Sequence, residues 1–495
     1  MNRVDILIIA EGTYPYVRGG VSSWIDQLIK GLGEYNFGIL FLGSKREDYK
    51  EKKYEFPKNL IYFKEKYLFD LEAKNPKKRE GDKKEFEKIE NFYKALKSGK
   101  DVEIKDYFTK DFADKIPLED FMYSKSSWEF IERRYFENQK DLSFLDYFWN
   151  IRSIHRPLWL LFSLAKEINF PKAIHSPSTG YAGFLASLIS SFHNIPFILT
   201  EHGIYIRERK MDIYAADALD TKRYTLQKTS ISEDYLKKMW INFFERIGVL
   251  TYKNAKYILS LFQGAKNIQI KLGAKRDKCQ VIPNGVDIKR LKPLVKKRKK
   301  EALKVITLLG RVVPIKDIKT FIRAMKLTVK EFPSAKGWIV GPTDEDPNYF
   351  KECEMMVESM GLKESVKFLG FQKIDEILPK SGILTLTSIS EGMPLVILEG
   401  FAAGLPCVAT DVGSCRDLIY GALNREDKQI GKSGEIVGVT DFVGLSKAYI
   451  KILKNENLWR EYQRNALLRV EKFYTQDMFF ENYRKIYNEA LKWRQ

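Results

Sequence analysis

Short, continuous apolar runs recur along the chain, separated by longer amphipathic stretches. This alternation constrains the fold more than any other feature of the sequence. The runs are residues 4–10, 37–42, 172–175, 196–200 and 257–261, then 305–309, 338–341, 366–369, 383–387 and 406–409. A strand apolar at every position is buried on both faces, as in a parallel sheet covered by helices. Between the runs the spacing turns helical: Phe442, Leu445, Tyr449 and Ile452 share one helix face. Strand and helix in alternation predict an α/β chain of doubly wound parallel sheets.

The runs form two groups, one before about residue 285 and one after about 303, so the chain of 495 residues reads as two Rossmann-like domains facing a cleft. The predicted boundaries are 1–285 and 286–474, with a terminal segment at 475–495. Between the groups stands a lysine-rich stretch holding Lys292, Lys296, Lys297, Arg298, Lys299 and Lys300, read as a solvated linker. Residues 45–155 break the rhythm. They are rich in Lys, Glu, Asp, Phe and Tyr, with a charged centre at 74–88, and predict a helical insertion into the first domain.

Other function classes are disfavoured. The longest apolar stretches, such as 158–165, fall far short of the ~20 residues a membrane-spanning helix needs. Residues 1–10 lack the basic start, apolar core and cleavage site of a leader and read as a first strand. Cys279, Cys353, Cys407 and Cys415 show no C-x-x-C spacing, and no H-x-x-x-H pair occurs among the four histidines, which argues against a disulfide framework, a zinc site and a metal hydrolase. The 84 basic against 65 acidic residues give +19, which favours an anionic partner without choosing one. The basic runs lack interleaved aromatics, so no nucleic-acid partner is expected.

Four segments carry the chemistry. After the first strand comes E-G-T-Y-P-Y-V-R-G-G (11–20), whose Gly19 and Gly20 open a helix and let backbone N–H groups approach an anion. The spacing is not G-x-G-x-x-G. His202, in T-E-H-G-I-Y-I-R-E-R-K (200–210), falls at a strand's carboxyl end beside Arg207, Arg209 and Lys210. Arg311 and Lys316 occupy the loop after the first strand of the second domain, a spacing that suits a diphosphate. The sharpest element is E-G-M-P-L-V-I-L-E, with Glu391 and Glu399 eight apart. Gly392 and Pro394 mark a loop and a helix start, so the N–H groups near Gly392, Met393, Pro394 and Leu395 face an anion and Glu399 can accept both hydroxyls of a ribose. Paired carboxylates also fit a glycoside hydrolase, but the nearby cation loop implies a phosphate ligand. The acidic triplet Asp344, Glu345 and Asp346 reads as a solvated loop.

Together these segments, with P-N-G-V-D (283–287) and E-G-M-P-L-V-I-L-E-G-F-A-A-G (391–404), resemble the family-4 retaining glycosyltransferases of the GT-B fold, and within them the branch that serves Pel exopolysaccharide synthesis. The likeness covers about residues 1–45 and 155–480. It implies transfer of a hexose or N-acetylhexosamine from a UDP-sugar donor to a growing polysaccharide acceptor, with retention, no bound metal and no permanently bound cofactor. By position it implies Arg311 and Lys316 on the diphosphate, Glu399 on the ribose, and Glu391 with the following backbone toward the donor sugar. Phe371 and Gln372 would form the nucleobase pocket, His202 would face the sugar or its phosphate, and Gly19 and Gly20 would shape the diphosphate and acceptor side. The resemblance further implies a terminal helix crossing back onto the first domain. It also implies a cytoplasmic enzyme, peripheral at the inner face of the membrane, feeding a membrane-embedded exopolysaccharide synthesis complex. Three readings stay open beside it: a glycogen- or sucrose-synthase-like glucosyltransferase, a GT-B-like nucleotide-sugar epimerase and a non-catalytic nucleotide-sugar-binding scaffold.

Overall fold

In the computed structural model, residues 4–70, 78–98, 102–138, 143–219 and 230–493 are described; part of the charged centre at 74–88 lies outside them. The chain divides into two units. Each holds one sheet, most of whose strands are built from the apolar runs.

The first unit's sheet contains β1 (Ile6–Glu11), β2 (Phe37–Gly43), β3 (Leu60–Tyr67), β4 (Ala173–Ser176), β5 (Phe197–Glu201), β6 (Tyr257–Ser260) and β7 (Cys279–Val281), in the order β3-β2-β1-β4-β5-β6-β7. Pairing from β3 through β6 is parallel. The strand order reverses between β1 and β4, so the crevice for a ligand lies beyond their carboxyl ends. Residues of β1, β2, β4 and β5 are buried almost throughout, the reason their sequences show no alternation.

The second unit's sheet contains β8 (Val305–Leu309), β9 (Lys336–Val340), β10 (Val366–Gly370), β11 (Ile383–Leu386), β12 (Cys407–Thr410) and β13 (Gly434–Val437), in the order β10-β9-β8-β11-β12-β13 and parallel throughout. Here the reversal falls between β8 and β11, so the loops after these two strands emerge side by side. Helices cover the sheet. In Phe442–Leu453 the face carrying Leu445, Tyr449 and Ile452 is buried.

Three strands escape the sequence reading: β3, β7 and β13. All are sheet edges. An edge strand has one neighbour and a partly wet surface, so its apolar run is diluted; β3 carries Lys64, Glu65 and Lys66 and is half-buried along most of its length. The expectation of a helical insertion over 45–155 is corrected accordingly, because 60–67 is sheet. The helical part follows, with Lys83–Lys97, Lys125–Asn138 and Phe144–Glu167. Its aromatics pack into the same core as β1 and β2. Trp159 stacks on Phe121 at 4.2 Å and donates its indole N–H to the Ile116 carbonyl at 2.6 Å, so its polar edge is satisfied on burial.

The lysine-rich stretch is also corrected. Residues Ile288–Leu291 and Lys292–Lys297 are helical, and Leu291 and Leu294 are buried. Arg298 donates to the carbonyls of Ser381, Gly404, Leu378 and Ala403 at 2.8–3.1 Å. Burial pulls its guanidinium down to about 10. One arginine thus ties the segment to four main-chain carbonyls. Arg298→Ala is expected to cost the second unit about 3 kcal/mol in denaturant unfolding, against about 0.5 kcal/mol for an ordinary surface change. A shift no larger than the latter would show these bonds to be exchangeable for water.

The last helix, Gln476–Lys492, begins in the second unit, where the Gln476 N–H donates to the Val286 carbonyl at 3.0 Å, and from Arg484 onward it belongs to the first. There Tyr487 bonds His175 at 2.8 Å, Tyr35 donates to Asn488 at 2.8 Å and Arg484 pairs with Glu34 at 2.6 Å.

Candidate functional site

The switch point of the second sheet places two charged loops together. One leaves β8 and holds Arg311 and Lys316. The other leaves β11 and holds Ser388 and Glu391. Lys316 closes a short 3-10 turn, Pro314–Lys316, whose next residue, Asp317, takes a left-handed conformation and caps the helix Ile318–Glu331 through the Thr320 N–H. The Ile389 N–H bonds the Ile315 carbonyl at 2.9 Å, and the Thr387 hydroxyl bonds the Lys316 carbonyl at 2.7 Å. The loops are therefore stitched together by one backbone bond and one side-chain hydroxyl before any charge is counted.

Across that seam the Lys316 Nζ pairs with Glu391 Oε1 at 2.5 Å, and Ser388 donates to the same oxygen at 2.6 Å. Both partners are largely shielded from water. Glu391 Oε2 makes no bond among the described residues. Arg311 is held differently: its Nη1 grips both oxygens of Glu345 at 2.5 and 2.7 Å, on the surface. The reading of 344–346 as a solvated loop is corrected, because Glu345 holds Arg311 and Asp346 caps the helix Pro347–Ser359. Each expected diphosphate cation thus has a carboxylate partner within its own unit. An incoming anion would exchange with a carboxylate, which sets a lower net gain than two free cations would give.

The backbone after Glu391 is clamped from behind. Gly413 has φ near +54°, and a Cβ there would lie 2.3 Å from the carbonyls of Glu391 and Gly392. The Ser414 N–H bonds the Gly392 carbonyl at 2.9 Å. Asn284, from P-N-G-V-D, is buried and donates its amide to the Met393 carbonyl at 3.1 Å. Pro394 is the residue before the helix Leu395–Ala402 and offers no side-chain cap to its first N–H groups, which leaves them available to an anion.

Glu399 lies one turn inside this helix. Burial raises its carboxyl to about 7, with Arg290 lowering and Asp375 raising it more weakly. Among the described residues no side chain donates to it. Gln372 turns its amide back onto the Leu369 carbonyl at 2.8 Å, and Phe371 is 61% exposed at the end of β10.

In the first unit, Gly19 precedes and Gly20 begins the helix Gly20–Gly31. Both are open: a Cβ at either would meet nothing within 4 Å. The chain's own packing therefore does not require glycine there. His202 follows β5, edge-on to Trp24 with ring centroids 4.6 Å apart, and its Nε2 is buried without a hydrogen-bond partner. Burial lowers its pKa to about 3, so it is a neutral imidazole. Arg209 does not act as a free cation: it bonds the Tyr205 hydroxyl at 3.0 Å, which in turn donates to Glu11 at 2.9 Å. Glu11 also accepts the Ala182 N–H at 2.9 Å, at the start of the helix Tyr181–His193.

Residues that the sequence reading missed are Glu345, Ser388, Gly413, Asn284 and Glu11. P-N-G-V-D held a signal for one of them, since an Asn-Gly pair marks a turn, but only the tertiary structure shows what the asparagine holds. Among the described residues no group of three or more His, Cys, Asp or Glu could hold a metal ion, and no helix is long and apolar enough to cross a membrane.

Comparison with known proteins fits this geometry. The fold is GT-B: the UDP complex of HepE from Anabaena aligns over 98% of this chain and all of its own, with TM-score 0.59 and 14% identity. Sucrose-phosphate synthase from Thermosynechococcus elongatus aligns over 99% and 100%, with TM-score 0.61 and 14% identity. Residues 292–469, which contain the Lys316–Glu391 pair, match the family of glycosyl transferases group 1. The chain belongs to the family described as domain of unknown function DUF3492, whose model matches residues 4–277, more than half its length. Among curated relatives, the N-acetyl-alpha-D-glucosaminyl L-malate synthase of Bacillus anthracis is 28% identical over 193 residues, 39% of this chain and 47% of that protein. The UDP-Gal:alpha-D-GlcNAc-diphosphoundecaprenol alpha-1,3-galactosyltransferase of Escherichia coli is 29% identical over 311 residues, 59% of this chain and 69% of that protein. The chain thus spans about half the length of the first relative.

Proposed function

We propose that the protein is a family-4 retaining glycosyltransferase. It moves a hexose or N-acetylhexosamine from a UDP-sugar to a growing exopolysaccharide of the Pel type, without metal. The observation that carries this reading is the Lys316–Glu391 pair beside the uncapped helix start at Leu395. A lysine and free N–H groups converge where a leaving diphosphate gains charge, which is electrostatic stabilisation without a metal ion. The UDP-bound state of HepE and the UDP-galactose named for the E. coli relative favour uridine as the base.

The acceptor hydroxyl attacks the anomeric carbon on the face from which the diphosphate departs. The carbon–oxygen bond to phosphate breaks, UDP keeps the electron pair, and the acceptor's proton passes to the leaving phosphate oxygen. Glu391 holds Lys316 in place and turns its second oxygen to the sugar; neutral His202 serves as a hydrogen-bond partner of the donor. We place the enzyme in the cytoplasm at the inner membrane face, where it feeds a membrane-embedded synthesis complex.

Calorimetric titration in EDTA against UDP, ADP and GDP tests this. Selective UDP binding is expected. An ADP preference would move the reading to a glycogen-synthase-like enzyme, and no nucleotide binding would leave a scaffold. Glu399 gives the titration a pH signature. A ribose diol donates to a carboxylate, so binding favours its ionised form, and affinity rises with pH through about 7. UDP is expected to bind roughly tenfold more weakly at pH 6 than at pH 8 through this group. UDP's own phosphate also titrates, so the comparison is with Glu399→Gln, in which that increment vanishes. An identical pH profile in the variant would remove Glu399 from the ribose.

A further inference from the structure

The helices Lys125–Asn138 and Phe144–Glu167 of the first unit bear large apolar side chains in water: Phe136 is 72% exposed, Leu145 62%, Trp149 53% and Trp128 46%. The three aromatic ones are linked by ring contacts through their neighbours. Trp128 contacts Phe144 and Phe148 at ring-centroid distances of 5.3 Å, Tyr135 joins Phe136 to Phe144, and Trp149 packs beside Phe148. Scattered exposed apolar residues need no explanation, but a contiguous aromatic patch does.

A cavity of about 440 Å³ opens beside it, lined by Lys78, Arg79, Lys125 and Arg152 and by no carboxylate. Arg79 is paired with Asp120, and Lys125 lies 3.9 Å from Glu129. Lys78 and Arg152 have no ion pair among the described residues. Arg152 is laid across Phe148 at 4.2 Å, with Trp149 at 5.7 Å and Tyr123 at 5.9 Å, and its buried Nε lacks a hydrogen-bond partner. A cation held among aromatics with an unsatisfied donor asks for an anion that also carries apolar bulk.

We propose that this face docks the protein on an anionic bilayer, with a lipid phosphate in the basic cavity beside Arg152 and the exposed aromatic side chains in the headgroup layer. Tryptophan and phenylalanine beside cations are the residues that lie well at that depth. A free anion would fill the cavity but leave Phe136, Leu145 and Trp149 in water. The excess of 84 basic over 65 acidic residues adds attraction to the same surface.

Flotation of the full chain with phosphatidylcholine vesicles, with and without about one-third phosphatidylglycerol, tests the proposal. The wild type is expected to bind the anionic vesicles about tenfold more tightly than the neutral ones. Phe136→Ser/Trp149→Ser should weaken binding to both by about tenfold, and Lys78→Gln/Arg152→Gln should abolish the anionic preference. Thermal melting of both variants, and of the single change Lys78→Gln, whose side chain is exposed, separates lost binding from lost packing at Arg152 and Trp149. Failure of the wild type to float, or equal binding by the variants, overturns the proposal. So does dissociation of a dimer by Phe136→Ser/Trp149→Ser in gel filtration without vesicle binding, which would make the patch a protein interface.

Discussion

Lys316→Ala is expected to lower kcat for sugar transfer by about 10²–10³, the loss seen when one preorganised donor to a developing charge is removed. The effect should fall on kcat more than on KM. Cleavage adds charge to the diphosphate, so the lysine attracts the transition state more strongly than the bound donor. Stability should change little, because Glu391 keeps its bond from Ser388. Steady-state kinetics with a UDP-sugar, alongside thermal melting, measure both. Turnover within a few-fold of wild type would end the diphosphate role. A large drop in melting temperature would instead make the Lys316–Glu391 pair a structural tie between the two loops.

The second large effect is acid lability. His155 and His175 are buried in the first unit and His202 is half-buried with its Nε2 shielded, and desolvation lowers them to about 4, 3 and 3. Their environments explain the direction. His175 sits between Tyr487 and Thr200, and His155 is ringed by Tyr93, Phe121 and Phe243 with a bond to the Ile151 carbonyl. A histidine whose folded pKa lies below its unfolded value of 6.5 stabilises the fold above 6.5 and loses that contribution as pH falls. From pH 7 to 5 each costs about 2 kcal/mol, or about 6 kcal/mol for the three. Glu201 opposes them. Burial raises it to about 7 despite donors from Tyr252, Gln269 and Thr179, so it favours the folded state on acidification by about 2 kcal/mol over the same range. A net loss of about 4 kcal/mol is expected from these four groups. Denaturant unfolding at pH 5, 6 and 7 measures it. His175→Gln should remove about 2 kcal/mol of the pH dependence whatever it does to absolute stability. A midpoint independent of pH would show that the imidazoles reach water.

Much of this was written in the sequence. Strands buried on both faces must be apolar at every position, so nine inner strands and one edge, β10, announced themselves, and their grouping around a gap announced two sheets. Glycine and proline at 392 and 394 marked where a loop becomes a helix, since both act through local backbone geometry. Strands β3, β7 and β13 did not announce themselves, because an edge has one neighbour and its composition is set by water as much as by the core.

The electrostatics of the site belonged to the tertiary structure. From sequence, Arg311 and Lys316 are two cations in a loop and Glu391 is a carboxylate 75 positions after Lys316. Only the strand order, which brings the ends of β8 and β11 side by side, turns them into an ion pair, and only the turn after β9 gives Arg311 to Glu345. The same holds for Arg298, a linker cation by composition and a four-carbonyl clamp by position, and for Gly413, whose need for glycine comes from a backbone 21 residues away. Periodicity and turn chemistry are local and can be read along the chain. Charge pairing and desolvation depend on neighbours brought in by the sheet, and no local pattern encodes them.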